Sequence, residues 1–323
     1  MNTAIGYNAA TLNTSGGSNT AVGHNAAYHN TTGNGNTAVG ASAYEQGQTG
    51  HGNTAVGNQA MYLHKGDYNT AAGRSALAGN GTGANNVAVG YFALSAGTTG
   101  DLNTAAGFEA MKATTEGSGN TGVGAQALLT NTTGDYNTAN GSLALYSNTD
   151  GWGNTALGRR SLYFNTTGGT NSASGYYSLY SNTTGSNNTA AGYDAAWRNT
   201  TGYANTAIGT ESLVNNQTGY GNVALGYAAG SNATGNNNVY IANGGAGGES
   251  GAIYLGAEGT HTKTALAGNV GIGTTSPTQK LHVAGAGSTY VNVASSAGNA
   301  GLVLSSSSSS AHLWSKSADG AFV

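Results

Sequence analysis

One short motif repeats through the first three quarters of the chain at a nearly constant spacing. Each copy resembles N-T-A-V-G and opens with an asparagine. Of the fourteen intervals between copies, twelve are 17 residues long and two are 16. The opening residues are Asn2, Asn19, Asn36, Asn53, Asn69, Asn86, Asn103, Asn120, Asn137, Asn154, Asn171, Asn188, Asn205, Asn222 and Asn238. A short fixed period predicts stacked structural units rather than a globular fold with a deep pocket.

Two glycines recur in each copy and divide it into two unequal arcs. The first closes the N-T-A-V-G string, and the second ends a string resembling N-T-T-G. We interpret both as corners, because glycine accepts positive φ and close backbone approach. In coils two to four the predicted structural corners are Gly23, Gly33, Gly40, Gly50, Gly57 and Gly66.

The arc that leads to the first corner alternates with the two-residue period of a β-strand. Thr20 and Val22 share one side, and Ala21 lies on the other. Branched side chains suit a buried, pleated surface, so we expect the Val22 side to face inward. Only small residues line the alanine side, so we expect another backbone to approach it closely. In the other arc a small residue precedes a larger one, as in Ala76-Leu77, which predicts a second strand.

Together these elements predict an all-β fold, a parallel β-roll or solenoid of about fifteen short two-strand coils. Equivalent residues of successive coils would lie about 4.8 Å apart. A further set of asparagines then falls in one column, whose amides can hydrogen-bond along the stack. This column contains Asn13, Asn30, Asn131, Asn148, Asn165, Asn182, Asn199 and Asn216.

The composition indicates that stacking and association stabilise such a chain. It has 56 Gly, one Pro and only ten Phe, Trp and Met residues in total. An isolated coil would lose much backbone entropy on ordering and would bury little apolar area in return. Low-complexity disorder is the alternative, but disorder does not require the strict register seen here.

Charge and apolar patterning exclude several classes of protein. The net charge is −3, and the nine Lys and Arg residues form no cluster, which argues against nucleic-acid binding. No apolar run has membrane-spanning length, so we expect no membrane insertion. The chain has no cysteine and therefore no disulfide. The first repeat follows Met1 directly, so we expect either assembly in the cytosol or a trimmed N-terminus.

No pattern of polar residues predicts an enzyme, a metal site or a cofactor. The twelve acidic residues are scattered, and Asp67, Asp101 and Asp135 each follow a second corner, as turn residues do. No spacing selects a carboxylate pair for glycoside hydrolysis. The seven histidines occupy different repeat positions without metal-ligand spacing. We therefore expect a non-catalytic protein.

Aromatic side chains are the best candidates for contact with a ligand. Exposed Tyr and Trp columns can stack on sugar rings, although they can equally cover corners or fill gaps between chains. The candidates for glycan or receptor contact are Tyr91, Phe108, Tyr176, Tyr193, Tyr227 and Trp197.

The repeat of N-T-A-V-G, A-L and N-T-T-G resembles the head repeats of trimeric autotransporter adhesins, whose motif is N-S-V-A-I-G. It is more similar still to repeats of phage tail fibres. The resemblance covers residues 2 to about 243. It implies a left-handed roll with three chains around one axis, and neither property follows from the periodicity alone.

A second segment resembles a tail-fibre collar. Residues 268–285 are G-N-V-G-I-G-T-T-S-P-T-Q-K-L-H-V-A-G, similar to the collar that precedes a self-cleaving endosialidase-type chaperone. We expect that chaperone to be cleaved off or truncated. The predicted domains are a shaft or head at 1–243, a Gly-rich connector at 244–267 and a collar with β stalk at 268–323. Short strands are predicted at 253–255, 289–293, 301–304 and 311–314.

These resemblances imply a structural and adhesive fibre protein, a homotrimeric segment of a phage tail fibre that attaches to the host surface. The implied partners are two further copies of the chain, a host-surface glycan or protein receptor, and other tail proteins. The expected location is the virion tail after assembly in the host cytoplasm. One alternative is a bacterial trimeric adhesin head at the cell surface. Another is ice binding by a column of Thr residues, although Val87, Ser172 and Val223 interrupt that column.

Overall fold

The computed structural model describes residues 1–79, 81–96, 99–256, 270–272, 275–279 and 281–283. These residues contain eighteen β-strands of three residues each, and they include no helix long and apolar enough to cross a membrane. The chain divides into two compact units, Met1–Thr262 and Lys263–Val323.

The first unit is a solenoid in which each coil contributes one strand to a single parallel sheet. Each strand pairs with the next along the chain, and the register places residues one repeat apart opposite each other, as with Thr3 and Thr20. The predicted all-β parallel solenoid of about fifteen coils is therefore confirmed. Its strands are β1 (Thr3–Ile5), β2 (Thr20–Val22), β3 (Thr37–Val39), β4 (Thr54–Val56), β5 (Thr70–Ala72), β6 (Val87–Val89), β7 (Thr104–Ala106), β8 (Thr121–Val123), β9 (Thr138–Asn140), β10 (Thr155–Leu157), β11 (Ser172–Ser174), β12 (Thr189–Ala191), β13 (Thr206–Ile208), β14 (Val223–Leu225), β15 (Val239–Ile241) and β16 (Ile253–Leu255).

The strand column extends beyond the region in which the repeat motif is recognisable. β16 lies within the predicted connector and pairs in parallel with β15, so the short strand predicted at 253–255 is confirmed. In the second unit, β17 (Val270–Ile272) and β18 (Leu281–Val283) pair in parallel within the predicted collar. The strands predicted at 289–293, 301–304 and 311–314 lie outside the described residues.

The alanine side of the strands, and not the branched side, faces the interior of the solenoid. Ala21 is fully buried, whereas Val56 is 42% exposed. The expectation that branched residues face inward is therefore wrong. The reason is visible in β8, where Gly122 takes the alanine position: an added Cβ would lie 2.8 Å from Met111 Cγ and 3.4 Å from Ala127 O. The opposite arc supplies the large interior side chain, so the strand has room only for a small one.

The arc after the first corner is a run of tight turns rather than the predicted second strand. In the second coil, Asn25 and Ala27 have φ values of 55° and 48°, in the left-handed region. Their N–H groups bond to Tyr7 O of the preceding coil and Ala43 O of the following coil, both at 2.9 Å. The Tyr28 N–H instead bonds back to Asn25 O within the coil at 3.3 Å. Left-handed residues at every second position keep a two-residue side-chain period, so the sequence pattern alone does not distinguish this arc from a strand.

The two corner glycines are required for different reasons. Gly40 has a φ of 131°, and an added Cβ would lie 2.7 Å from Gly57 O of the next coil. Gly50 has no positive φ, but an added Cβ would lie 2.5 Å from Gly66 O. The remaining predicted corners divide in the same way. Gly23 and Gly57 have positive φ, whereas at Gly33 and Gly66 an added Cβ would collide with the backbone of the next coil.

The opening asparagines form a buried hydrogen-bonded ladder through the stack. Asn154 is fully buried, and its Oδ1 accepts the backbone N–H of Asn171 in the next coil at 2.9 Å. Its Nδ2 donates to Gly168 O at 2.8 Å and to Asn137 Oδ1 at 3.1 Å. Every opening asparagine from Asn19 to Asn238 has its N–H bonded to the Oδ1 one coil earlier. The same side chain therefore closes its own coil and joins it to its neighbours.

The second asparagine column also forms a ladder, from Asn131 to Asn199, in which each Nδ2 donates to the Oδ1 one coil earlier at 2.7 Å. In the third coil this position is Gly47, and the ring of Tyr44, which stands where most coils have Leu or Met, fills the space. The Tyr44 hydroxyl donates to Gly50 O at 3.1 Å. Burial raises the pKa of this phenol. A large aromatic ring is thus tolerated inside only because the asparagine beside it is absent.

We expect Asn154→Ala to lower the free energy of unfolding by on the order of 3 kcal/mol, because the Asn171 N–H and the Gly168 carbonyl would both lose a buried partner. Urea denaturation at fixed protein concentration measures this change. Thr167→Ala is the matched control, because Thr167 is exposed and its hydroxyl lies outside both ladders. Equal midpoints for the two variants would show that the ladder does not stabilise the stack.

Candidate functional site

The most distinctive surface feature of the solenoid is an aromatic cluster in coils ten to twelve, which begin at Asn154, Asn171 and Asn188. The cluster is built from the first, second and fifth residues after the first corner glycine, joined in coil ten by the sixth, Phe164. Because successive coils stack in register, these positions form parallel columns. The cluster consists of Tyr163, Phe164, Tyr176, Tyr177, Tyr180, Tyr193 and Trp197.

Rings within one column stack on each other along the solenoid. Tyr146 and Tyr163 have centroids 5.0 Å apart and planes 4° apart, and Tyr180 follows Tyr163 at 5.3 Å. In the neighbouring column, Tyr176 and Tyr193 lie 5.7 Å apart with planes 5° apart. The ring faces inside a column are therefore covered by other rings. Sugar rings can reach an aromatic face only at the end of a column or where its spacing widens.

Two arginines occupy the ring faces at the coil-ten end of the cluster. Arg159 Nη1 donates to the Tyr176 hydroxyl at 2.7 Å, and its Cζ lies 5.4 Å from that ring centroid. Arg160 makes the same contacts with Tyr177, at 2.7 Å and 5.7 Å. These cation–π contacts cover the edge of the cluster in coil ten. Its opposite edge, in coil twelve, is the one that a ligand could reach.

A cleft opens at coil twelve, where the column spacing widens. Tyr180 and Trp197 have centroids 6.5 Å apart, compared with 5.0 to 5.3 Å lower in the column. The cleft has a volume of about 220 Å³ and is lined by Tyr177, Tyr180, Tyr193, Asp194 and Trp197. Four aromatic rings and one carboxylate therefore converge on one small space, the composition expected of a ligand site.

Asp194 is the only acidic residue of the cleft lining, and no Lys or Arg forms an ion pair with it in the described structure. Its Oδ1 is buried without a hydrogen-bond partner. Glu211 occupies the same position one coil later, and the Glu211 N–H bonds to Tyr193 O at 2.8 Å. Burial and then the charge of Glu211 raise the pKa of Asp194, and a hydrogen bond with Tyr193 lowers it by less. Like charges on adjacent rungs are unfavourable in a ladder, so this pair is a local cost to the fold.

Glu109 lies at the same position in an earlier coil, and its carboxylate, unlike that of Asp194, has a cation paired with it. Its Oε1 forms an ion pair with Lys112 Nζ at 2.7 Å, and its Oε2 accepts from Gln126 Nε2 at 2.9 Å. The hydrogen bond from Lys112, followed by that from Gln126, lowers the pKa of Glu109. Among the described residues this is the only Lys or Arg ion pair. Asp194 and Glu211 therefore differ from Glu109 in having no cation paired with them.

The six residues proposed from the sequence separate into three groups. Tyr176, Tyr193 and Trp197 belong to the cluster. Tyr91 and Phe108 form a smaller stack at 5.6 Å, with Arg74 Cζ 5.7 Å from the Tyr91 ring. Tyr227 is 74% exposed and has no ring partner within the described part of the chain.

Sequence reasoning missed Tyr177 and Asp194 as lining residues and Arg160 as the partner of Tyr177. All three stand second after a corner glycine, a position that faces the cleft only because the turn arc directs it there. A signal was present: the pairs Arg159-Arg160, Tyr176-Tyr177 and Tyr193-Asp194 recur at 17 residues.

The remaining polar groups offer no reactive arrangement. Asp67, Asp101 and Asp135 accept backbone N–H bonds from the preceding coil at 2.6 to 2.7 Å, a role in the turns. Across the described ranges, no group of three or more His, Asp or Glu side chains could hold a metal ion. No protein-family model, curated protein or solved structure matches the chain.

We expect Asp194→Asn to raise the melting temperature at pH 7. The folded-state pKa of Asp194 is raised, so its contribution to stability is present below the unfolded pKa of about 4 and is lost as the pH rises. Glu109→Gln should do the opposite, because a lowered pKa contributes stability above about pH 4 that is lost on acidification. Scanning calorimetry at pH 7 and pH 3 measures both, and each difference should shrink at pH 3. A lower melting temperature for Asp194→Asn at pH 7 would show that its carboxylate has a stabilising partner.

Proposed function

We propose that this chain is a segment of a homotrimeric phage tail fibre that attaches the virion to a host surface and catalyses no reaction. The observation that carries the proposal is the outer face of the sixteen-stranded sheet, which carries an apolar column that is uncovered in a single chain. The aromatic cluster supports a contact with host glycans from the side of the fibre.

The outer face displays two columns, one mostly Thr and the other mostly branched or aliphatic. Leu157, Ile208 and Leu225 are 41%, 41% and 46% exposed. Only Asn140 and Ser174 bring polar side chains to the branched column. Both polar side chains are exposed to solvent. Since soluble monomers rarely expose an apolar patch of more than a few hundred Å², this face requires a partner.

A second and a third copy of the same chain fit this requirement best. Sixteen strands at about 4.8 Å and three residues at about 3.3 Å give a face on the order of 700 Å² per chain. A standard protein interface buries about 800 Å² per partner. The face is nearly free of charge along its length, so identical copies can meet there without repulsion. Three rolls around one axis would form a rigid shaft about 70 Å long.

The location that follows is the virion tail, after assembly in the host cytoplasm, with other tail proteins as partners. A bacterial trimeric adhesin head at the cell surface is the main alternative, since it would bury the same face. An export signal and a membrane anchor encoded in the flanking gene sequence would favour the adhesin.

Ice binding is a second candidate function, favoured by the outward direction of both columns. Thr20 and Val22 face the same side of a regular sheet, with equivalents one coil apart. The breaks at Val87, Ser172 and Val223 and the single Thr per strand weaken it. A monomer that shows thermal hysteresis would support ice binding, because a trimer would cover this face.

We expect the native mass in solution to be three times the 31.7 kDa of one chain. The double variant Leu157→Lys/Ile208→Lys should dissociate, because each charge would be buried at the interface. Thr167→Lys, a charge placed on an exposed corner residue, should leave the trimer intact. Analytical ultracentrifugation measures the native mass of the wild type and of both variants. A monomeric wild type would exclude the trimeric fibre.

We expect the labelled wild-type protein to bind bacterial surface polysaccharides on an array, with saturable binding and no release of reducing ends. Trp197→Ala should weaken the binding about tenfold or more, since base or sugar stacking on an aromatic ring contributes about 1–3 kcal/mol. Tyr136→Ala is the control, an exposed ring outside the cluster. Absence of binding to any polysaccharide would contradict glycan attachment, and release of reducing ends would contradict the non-catalytic assignment.

A further inference from the structure

The cleft at coil twelve combines two features that the attachment proposal leaves unexplained. Aromatic rings line it on several sides, through Tyr177, Tyr180, Tyr193 and Trp197. Asp194 adds a carboxylate whose buried oxygen has no hydrogen-bond partner. Neutral sugars would use the rings but would not explain why a second acid, Glu211, follows in the same column.

We propose that this cleft binds an organic ammonium group, such as the amine of an amino sugar or the trimethylammonium of a choline substituent. The inference rests on the proposed attachment function and names the chemical class of its ligand. An ammonium group would account for both features. Aromatic ring faces attract cations, and neither the Asp194 nor the Glu211 carboxylate has a cation paired with it.

The comparison with Glu109 identifies what the cleft lacks. There, Lys112 Nζ lies 2.7 Å from the carboxylate and compensates its charge. At the Asp194 and Glu211 positions the chain provides no such lysine, and burial together with Glu211 raises the pKa of Asp194. A bound ammonium group would occupy the place that the Lys112 amine takes beside Glu109.

The neighbouring arginines do not fill this place. Arg160 Nη1 donates to the Tyr177 hydroxyl at 2.7 Å, and its Cζ lies 5.7 Å from the Tyr177 ring and 5.9 Å from the Tyr163 ring. Arg198 Cζ lies 5.2 Å from the Trp197 ring, within the range of a cation–π contact. Neither guanidinium forms an ion pair with Asp194 in the described structure.

A metal ion fits the cleft less well than an organic cation. Calcium takes six to eight oxygen ligands, and a wall of four aromatic rings cannot supply them. The aromatic rings instead match the cages that recognise quaternary and primary ammonium ligands. Calcium chloride therefore serves as a negative probe.

The test titrates the full-length protein with two oligosaccharides of the same backbone: the hexamer of glucosamine and the hexamer of N-acetylglucosamine. Tetramethylammonium and choline are the small probes, followed by NMR of their methyl signals. We expect the glucosamine hexamer to bind at least tenfold more tightly than its acetylated counterpart, and both small probes to bind. Tighter binding of choline would identify a choline substituent as the source, and tighter binding of the glucosamine hexamer would identify an amino sugar.

Asp194→Asn should weaken the glucosamine hexamer about tenfold, and Trp197→Ala should abolish binding of the small probes. Glu109→Gln removes a carboxylate from the same column in another coil. It should change neither the affinity for the glucosamine hexamer nor the binding of the small probes. Melting temperatures establish that each variant is folded, and Asp194→Gln provides a second variant if the first does not fold.

Equal affinity for the two hexamers together with no binding of tetramethylammonium or choline would overturn the inference. An unaffected Asp194→Asn variant, or saturable calcium binding that displaces tetramethylammonium, would also overturn it. Failure of the ammonium inference is distinguishable from failure of the proposed function. A trimer that binds only neutral polysaccharides contradicts the inference alone, whereas a monomer that binds tetramethylammonium contradicts the fibre alone.

Discussion

Hydrogen bonding between equivalent residues of neighbouring coils is the interaction on which the structure depends. Asn154 illustrates it, since its one amide joins three coils. Each coil also contains residues such as Ala27 and Leu77 in left-handed conformation, which costs about 1–2 kcal/mol per non-glycine residue. A single coil could not retain these conformations. The stack does, because the left-handed residues direct their N–H groups toward the next or the preceding coil.

The narrowness of the coil determines which surfaces are left for function. In most coils one large side chain from the turn arc fills the interior, so the strand contributes only alanine or glycine there. In β15 the strand contributes Tyr240 instead, because the turn arc beside it supplies only Gly230. The branched residues must then face outward, and a row of them forms an apolar face that a monomer would leave in water. The small space that the coil encloses therefore supports the proposed self-association.

Stacking also limits what aromatic columns can bind. A repeat of about 4.8 Å places parallel rings against each other, so their faces are used inside the column. The proposed ligand cleft lies where the regularity fails, between Tyr180 and Trp197. The same coil carries the uncompensated Asp194, and the coincidence of both irregularities marks the site.

The sequence by itself determined the solenoid, its coil boundaries and the 131–199 asparagine ladder, because period and glycine spacing reflect local backbone geometry repeated many times. It identified Tyr176, Tyr193 and Trp197 by chemistry, but not Tyr177 or Asp194. Only the tertiary structure decided that Ala21 faces inward and Val22 outward, since a two-residue period fixes that the two sides differ and not which one is inside. It also decided that the second arc is a series of turns, because alternating left-handed residues and a strand produce the same side-chain period.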